Sequence, residues 1–126
     1  MIVVGNKNIP YKDIAYIVGI DDIKSTKPNS IVVFKYDMEI LKYCDTNNIL
    51  CGVIIDTITQ SIFANSLNAL YQIIEDSDFA KKIQNIAENY LYDSKILQII
   101  KNDKEIENIA LDGIDGVIYK GVLCQQ

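Results

Sequence analysis

The sequence predicts an α/β fold with a mostly parallel sheet of about five buried strands joined by helical crossovers. From about residue 30 onward, short apolar runs alternate with amphipathic stretches. The runs are continuous and rich in β-branched residues, which is typical of strands covered on both faces. Each connection is long enough for a right-handed βαβ unit. With 126 residues, 49% of them hydrophobic, the chain is expected to form one domain over residues 1–126.

The five buried strands are followed by segments that begin with good helix caps. We predict the strands at residues 31–34, 51–55, 71–74, 96–100 and 116–119. Asp37 is a suitable cap for a helix that runs to about Asn47, and Thr57 with Gln60 has the form of a capping box. Asn102 and Glu105 are predicted to cap a short last helix in the same way. The longest helix follows residue 74, and its predicted inward stripe comprises Phe79, Ile83, Ile86, Ala87, Tyr90 and Leu91.

The first thirty residues predict a short N-terminal β segment. Residues 2–4 and 15–18 are short strand candidates separated by Pro10, and residues 21–25 suit a helical turn. Two arrangements fit this pattern. The segment either adds a hairpin to the edge of the sheet or forms a shorter first βα unit.

The way the sheet is wound has two alternatives, Rossmann-like or half-barrel-like. Gln72-Ile73-Ile74 and the helix after it resemble Gln98-Ile99-Ile100 and its helix, as a duplicated βα unit of a half-barrel would. Chance similarity in an Ile- and Asn-rich chain is the alternative explanation for this internal sequence similarity. Gly116 is expected to permit a close approach into the last strand, and Gly52 indicates close helix packing or a bulge.

The composition excludes several classes of function. The net charge is −5, and the chain has neither histidine nor arginine. Nucleic-acid binders normally carry a basic surface with arginine, so no nucleic-acid partner is expected. Without histidine a Ser-His-Asp or Cys-His triad cannot form. We therefore lean towards a protein that is not an enzyme.

The cysteines and the apolar runs point to a cytoplasmic protein that does not enter a membrane. Cys44, Cys51 and Cys124 show no metal-binding or disulfide spacing, so we expect reduced thiols, two of them in the core, and no metal site. The amino terminus lacks the features of a signal peptide, and no apolar run approaches the ~20 residues that span a bilayer. No motif identifies a cofactor, which leaves it unknown. The glycines form no phosphate-binding loop.

Charged and hydroxyl side chains follow the predicted strands, where ligands of open α/β sheets bind. The candidate ligand-binding residues are Asp37, Asp56, Thr57, Glu75 and Lys101. Carboxylates there could hold Mg²⁺, and helix N-termini could hold a small anionic ligand. Caps at helix starts require the same residue types for local hydrogen bonding. The polar residues that follow the strands therefore have a purely structural explanation as well.

The arrangement also resembles a phosphoacceptor receiver domain. Asp21 and Asp22 would stand for its acidic pair, Asp56 for its nucleophile and Lys101 for its lysine. The resemblance implies Mg²⁺ binding and phosphoryl transfer to Asp56. The sequence departs from that pattern because Glu75 occupies the position of the hydroxyl residue. The connection after Asp22 is also too short for a crossover helix.

Two functional hypotheses follow. The first is a non-catalytic domain that binds a small molecule or another protein. The second is a small magnesium-dependent enzyme or receiver-like phosphoacceptor. Eight tyrosines, among them Tyr43, Tyr71 and Tyr92, also suggest a surface for a protein partner or a homodimer.

Overall fold

The computed structural model describes residues 1–123, and the seven strands in this range form one sheet in which every pair is parallel. The strands are β1 (Ile2–Val4), β2 (Ile14–Tyr16), β3 (Ile31–Lys35), β4 (Cys51–Ile54), β5 (Tyr71–Ile74), β6 (Lys95–Ile100) and β7 (Gly116–Tyr119). The helices are α1 (Met38–Thr46), α2 (Ile58–Ser66), α3 (Ser77–Asn89) and α4 (Ile106–Leu111). Short 3₁₀ helices span Ile20–Ser25, Asp103–Glu105 and Lys120–Leu123. The predicted α/β class is confirmed, with more strands than expected.

All four α-helices pack on one face of the sheet. The strand order is β1-β7-β6-β5-β4-β3-β2, so each strand from β2 to β7 lies beside the next in sequence. Right-handed crossovers between successive neighbours place every connecting helix on the same side. The core on that side joins strand residues such as Val53 and Ile96 to helix residues such as Leu41 and Ile83. We call it the outer core.

The opposite face of the sheet is buried although no α-helix within residues 1–123 covers it. Its core, which we call the inner core, comprises Val4, Ile31, Val33, Ile73, Leu97 and Ile118, each at most 3% exposed. Val122 and Leu123, which follow β7, pack against it. A flat sheet would leave these side chains in water, so the sheet curls around them. Of the two predicted windings, the half-barrel-like one is observed, whereas a Rossmann-like sheet carries helices on both faces.

The N-terminal strands lie at opposite edges of the sheet. Val3 of β1 pairs with Val117 of β7, whereas Ala15 of β2 pairs with Val32 of β3. The first predicted arrangement, a hairpin at the edge of the sheet, is therefore wrong. The 3₁₀ helix Ile20–Ser25 packs on the outer core and takes the place of a crossover helix, so β2 opens the shorter first βα unit.

Two glycines fit the chain into the curled sheet. A Cβ on Gly116 would overlap the backbone of β1, which confirms the predicted close approach. Gly52 was expected to meet a helix or form a bulge, but it faces the inner core. A Cβ there would lie 3.2 Å from Ile73 and 3.3 Å from Val33.

Helix α3 ends earlier than its apolar stripe predicts. Ile83 and Ala87 are buried as expected, but the helix stops at Asn89 and Leu91 adopts a left-handed φ of 53°. Tyr90 and Leu91 are consequently exposed, and their predicted place in the core is wrong. Tyr92 is partly buried and packs against the outer core, and its place in a partner surface remains a prediction.

None of the helices within residues 1–123 is both long enough and apolar enough to cross a lipid bilayer.

Candidate functional site

The five sequence-predicted site residues lie along the carboxyl edge of the sheet, but two of them, Asp37 and Thr57, serve as helix caps. The Asp37 carboxylate accepts from the backbone N–H groups of Glu39 at 2.9 Å and Ile40 at 3.2 Å. Thr57 Oγ1 accepts from the N–H of Gln60 at 3.1 Å. These bonds satisfy free donors at the helix starts, so neither side chain needs a ligand.

Asp56, Glu75 and Lys101 follow three adjacent strands without forming a joint site. The Asp56 backbone donates to Gln60 Oε1 at 2.7 Å, while its carboxylate is exposed. The Lys101 backbone donates to Glu105 Oε2 at 2.6 Å. Glu75 Oε2 lies 3.7 Å from the Lys120 ammonium, and both side chains are mostly in water. Within residues 1–123, no three His, Cys, Asp or Glu side chains are grouped closely enough to hold a metal ion.

A hydrogen-bonded trio that sequence reasoning missed lies at the ends of β1 and β7. Tyr119 donates its hydroxyl proton to the Asp103 carboxylate and accepts from Asn6 Nδ2 at 3.2 Å. The bond to Asp103 raises the pKa of the Tyr119 hydroxyl. Tyr119 therefore keeps its proton at neutral pH and fixes the loop after β6. Its partners are far apart in sequence, so no local signal could have identified them.

An open groove of about 850 Å³ lies between α3 and α4, with β6 as its floor. Its rim at the carboxyl edge carries Glu75, Asp76 and Ser77, and its α4 wall carries Asn108 and other residues. Lys81 Nζ of α3 lies 3.5 Å from Oδ2 of Asp112, which follows the last residue of α4, and the two form an ion pair. We call this space the α3–α4 groove. Of the predicted site residues, only Glu75 borders it.

The floor of the groove contains a buried side chain with an unsatisfied oxygen. Gln98 is 7% exposed, and its Oε1 is buried without a hydrogen-bond partner among residues 1–123. Gln72 provides an internal comparison, because it points to the same outer face from β5. Its Oε1 accepts from Ser61 Oγ at 2.6 Å, and its Nε2 donates to Ser61 O at 3.0 Å. Helix α2 satisfies Gln72, whereas nothing from α3 or α4 satisfies the Gln98 oxygen.

The lining of the α3–α4 groove is acidic. It includes the carboxylates of Glu75, Asp76, Glu105 and Asp112 and a single ammonium group, that of Lys81. Lys81 is paired with Asp112, and Lys120 lies 3.7 Å from Glu75, so the four carboxylates outnumber the two ammonium groups beside them and the field near the rim is negative. Asp76 uses one oxygen to cap α3, and Glu105 uses one to bind the Lys101 and Asn102 backbone.

A second cavity of about 800 Å³ follows the outward edge of β2. Tyr16, Lys27, Ser30 and Val122 are among the residues that line it. Among the residues that the structure describes, no side-chain oxygen or nitrogen in its lining is buried and unpaired. It consequently offers less reason to expect a ligand than the α3–α4 groove.

The two thiols within residues 1–123 are buried, so neither is accessible for nucleophilic chemistry. Cys44 and Cys51 are free and buried, which confirms that part of the expectation, while Cys124 lies outside the described residues. A hydrogen bond to Cys44 and burial raise the pKa of the Cys51 thiol, so its thiolate is disfavoured.

The chain matches no protein-family model, and no curated protein resembles it in sequence.

Proposed function

We propose that this protein is a non-catalytic binding domain that holds a small molecule in the α3–α4 groove. The observation that carries the proposal is the unpaired Oε1 of Gln98 on the groove floor. A buried polar atom without a partner costs about 1–3 kcal/mol, and native proteins tolerate few of them. A ligand that donates a hydrogen bond to Gln98 would recover this energy on binding.

The size and walls of the groove support a small-molecule ligand. Its volume of about 850 Å³ falls within the range of roughly 300–1,000 Å³ that is usual for small-molecule sites. Ile109 contributes apolar surface, while Ser77 and Asn108 offer polar groups that could orient a ligand. The helices α3 and α4 and the strand β6 carry seven of the eleven lining residues.

The enzymatic alternative has less support. Asp56 and Lys101 do not share a concave site, and Asp22 uses its carboxylate to accept from the Val18 and Gly19 backbone. Those bonds lower the pKa of Asp22 and give its Oδ2 a structural role in the turn before the 3₁₀ helix Ile20–Ser25. The strand order also differs from the 2-1-3-4-5 order of receiver folds. The magnesium-dependent and receiver-like hypotheses therefore remain predictions without a structural site.

A thermal-shift screen with a chemically mixed set of small molecules tests the proposal. Some compounds should raise the melting temperature of the wild type, because a ligand that binds only the native state stabilises it. An Asn108→Trp variant, which fills the groove from α4, should lose these shifts. Ala110→Trp is the matched control, because Ala110 is exposed on the same helix and does not line the groove. Equal shifts in both variants, or none in the wild type, would refute the proposal.

A second candidate function is self-association. It rests on the distribution of side chains in α2, where apolar residues are exposed and a serine is buried. This helix buries Ser61 and Ala64, while Ile58, Ile62 and Phe63 are each 44% exposed. No residue of α2 is charged, although each chain carries a net charge of −5. Two copies would repel each other at their acidic surfaces, so an uncharged apolar face is the favourable place for contact. We propose a homodimer in which α2 packs against α2 of a second copy.

Sedimentation velocity over a range of concentrations tests the dimer. The wild type should show a concentration-dependent dimer, and Phe63→Asp should weaken association at least tenfold by placing a charge in the contact. Val18→Asp is the control, because Val18 is 64% exposed and lies outside α2. A monomeric wild type, or equal association of the two variants, would contradict an α2 interface.

A further inference from the structure

We infer that the ligand of the α3–α4 groove is a small organic cation, an aliphatic amine or guanidine. The inference rests on the proposed binding function and specifies its ligand class. It follows from the charge of the lining, from the chemistry of Gln98 and from the geometry of the carboxylates. The small anionic ligand suggested by the sequence remains a prediction, but the lining does not favour it.

The charge of the groove lining determines whether a positively or a negatively charged ligand is favoured. Three carboxylates, those of Glu75, Asp76 and Glu105, border the groove at the carboxyl edge. Lys81 is paired with Asp112 and Lys120 lies 3.7 Å from Glu75, so the carboxylates still outnumber the ammonium groups. The N-terminus of α3 would otherwise attract an anion. There, however, Asp76 caps the helix at 2.8 Å from the Phe79 nitrogen, and Asp78 adds a second carboxylate in the first turn. A cation entering the groove is attracted, whereas an anion is repelled.

Gln98 supplies a neutral acceptor below these carboxylates. An ammonium or guanidinium group carries several N–H donors, so it can bond the Gln98 oxygen and a rim carboxylate together. Hydrogen bonds to charged donors are roughly twice as strong as those between neutral groups. Pairing with Gln98 would also remove the cost of its buried unpaired oxygen.

The arrangement suits an organic cation better than a metal ion. Ca²⁺ and Mg²⁺ require about six oxygen ligands packed around one point. The carboxylates of the groove do not converge in that way within residues 1–123. A groove of about 850 Å³ instead has room for a carbon chain that separates two cationic groups. One group would reach Gln98 and the other would lie near Glu75.

Isothermal titration calorimetry with agmatine, and with succinate as a dicarboxylate comparison, tests the ligand class. Agmatine carries an amine and a guanidine on one short chain. It should bind with one-to-one stoichiometry and lose affinity as salt is added, because the attraction is electrostatic. Gln98→Leu and Glu75→Gln should each weaken binding about tenfold, the loss of one charge-assisted bond. Asp56→Asn, which removes an exposed carboxylate outside the groove, should leave the affinity unchanged.

Each outcome separates the ligand class from the binding function. Agmatine binding that depends on Gln98 and Glu75 supports both. Succinate or neutral compounds that bind in the groove, while agmatine does not, would overturn the cation inference and leave the binding function intact. Agmatine binding that is equal in all three variants would place the cation elsewhere and overturn the inference. If agmatine fails and the thermal-shift screen is also negative, both claims fail.

Discussion

Replacing Gly116 by alanine is expected to lower the free energy of unfolding by about 3 kcal/mol, because the added methyl group overpacks a closely fitted site. Gly116 begins β7 and pairs with Ile2 of β1 and Leu97 of β6. A Cβ there would lie 2.5 Å from the Ile2 carbonyl oxygen and 2.8 Å from Leu97 Cδ2. The oxygen belongs to the backbone and cannot rotate away, so β1 must shift and the pairing of β1 with β7 is strained.

Urea denaturation of Gly116→Ala and Gly19→Ala measures this effect. Gly19 is the matched control, because a Cβ there would meet no atom within 4 Å and its φ of −141° suits alanine. We expect Gly19→Ala to stay within about 0.5 kcal/mol of the wild type. Equal midpoints for the two variants would show that β1 does not lie against Gly116 in solution.

Leucine at positions 72 and 98 is expected to change stability in opposite directions. Gln72→Leu removes two hydrogen bonds to Ser61 and leaves the buried Ser61 hydroxyl with its contact to Tyr92 at 3.1 Å. This should cost about 2 kcal/mol, roughly 1 kcal/mol for each bond. Gln98→Leu removes an oxygen that has no partner, so it should stabilise the protein without ligand by about 1 kcal/mol.

The comparison is made by chemical unfolding of both variants in the absence of any ligand. Both substitutions place leucine on the outer face of neighbouring strands, so their strand propensity and size effects are closely matched. If Gln98→Leu destabilises the protein as much as Gln72→Leu does, Gln98 is already paired in the free protein. The main observation that supports a binding site in the α3–α4 groove, the unpaired oxygen of Gln98, would then be lost.

The sequence predicts those parts of the fold that local patterns determine. The buried strands, the caps at Asp37 and Thr57 and the close approach at Gly116 are found where they were expected. Caps depend on hydrogen bonds within a few residues, and buried strands depend on the composition of a short run. Such features can be read without knowledge of the rest of the chain.

Long-range contacts determine the features that the sequence did not predict. Nothing within Ile2–Val4 indicates that β1 pairs with β7, more than a hundred residues away. The end of α3 was misjudged because no glycine or proline marks Asn89, and the apolar period continues to Leu91. Gln72 and Gln98 occur in the same local pattern, yet only Gln72 lies beneath a serine. The proposed binding site is therefore defined by a difference that appears only after the helices are placed.

The most direct test of the binding site is an amide NMR titration that follows the side-chain NH₂ signals of Gln98 and Gln72 as agmatine is added. Gln98→Leu and Gln72→Leu identify the two signals by their disappearance. We predict that the Gln98 signals shift with a saturable dependence on agmatine, while those of Gln72, held by Ser61, remain in place. Gln98 signals that remain unchanged up to millimolar agmatine, or that move no more than those of Gln72, would contradict a cation site in the α3–α4 groove.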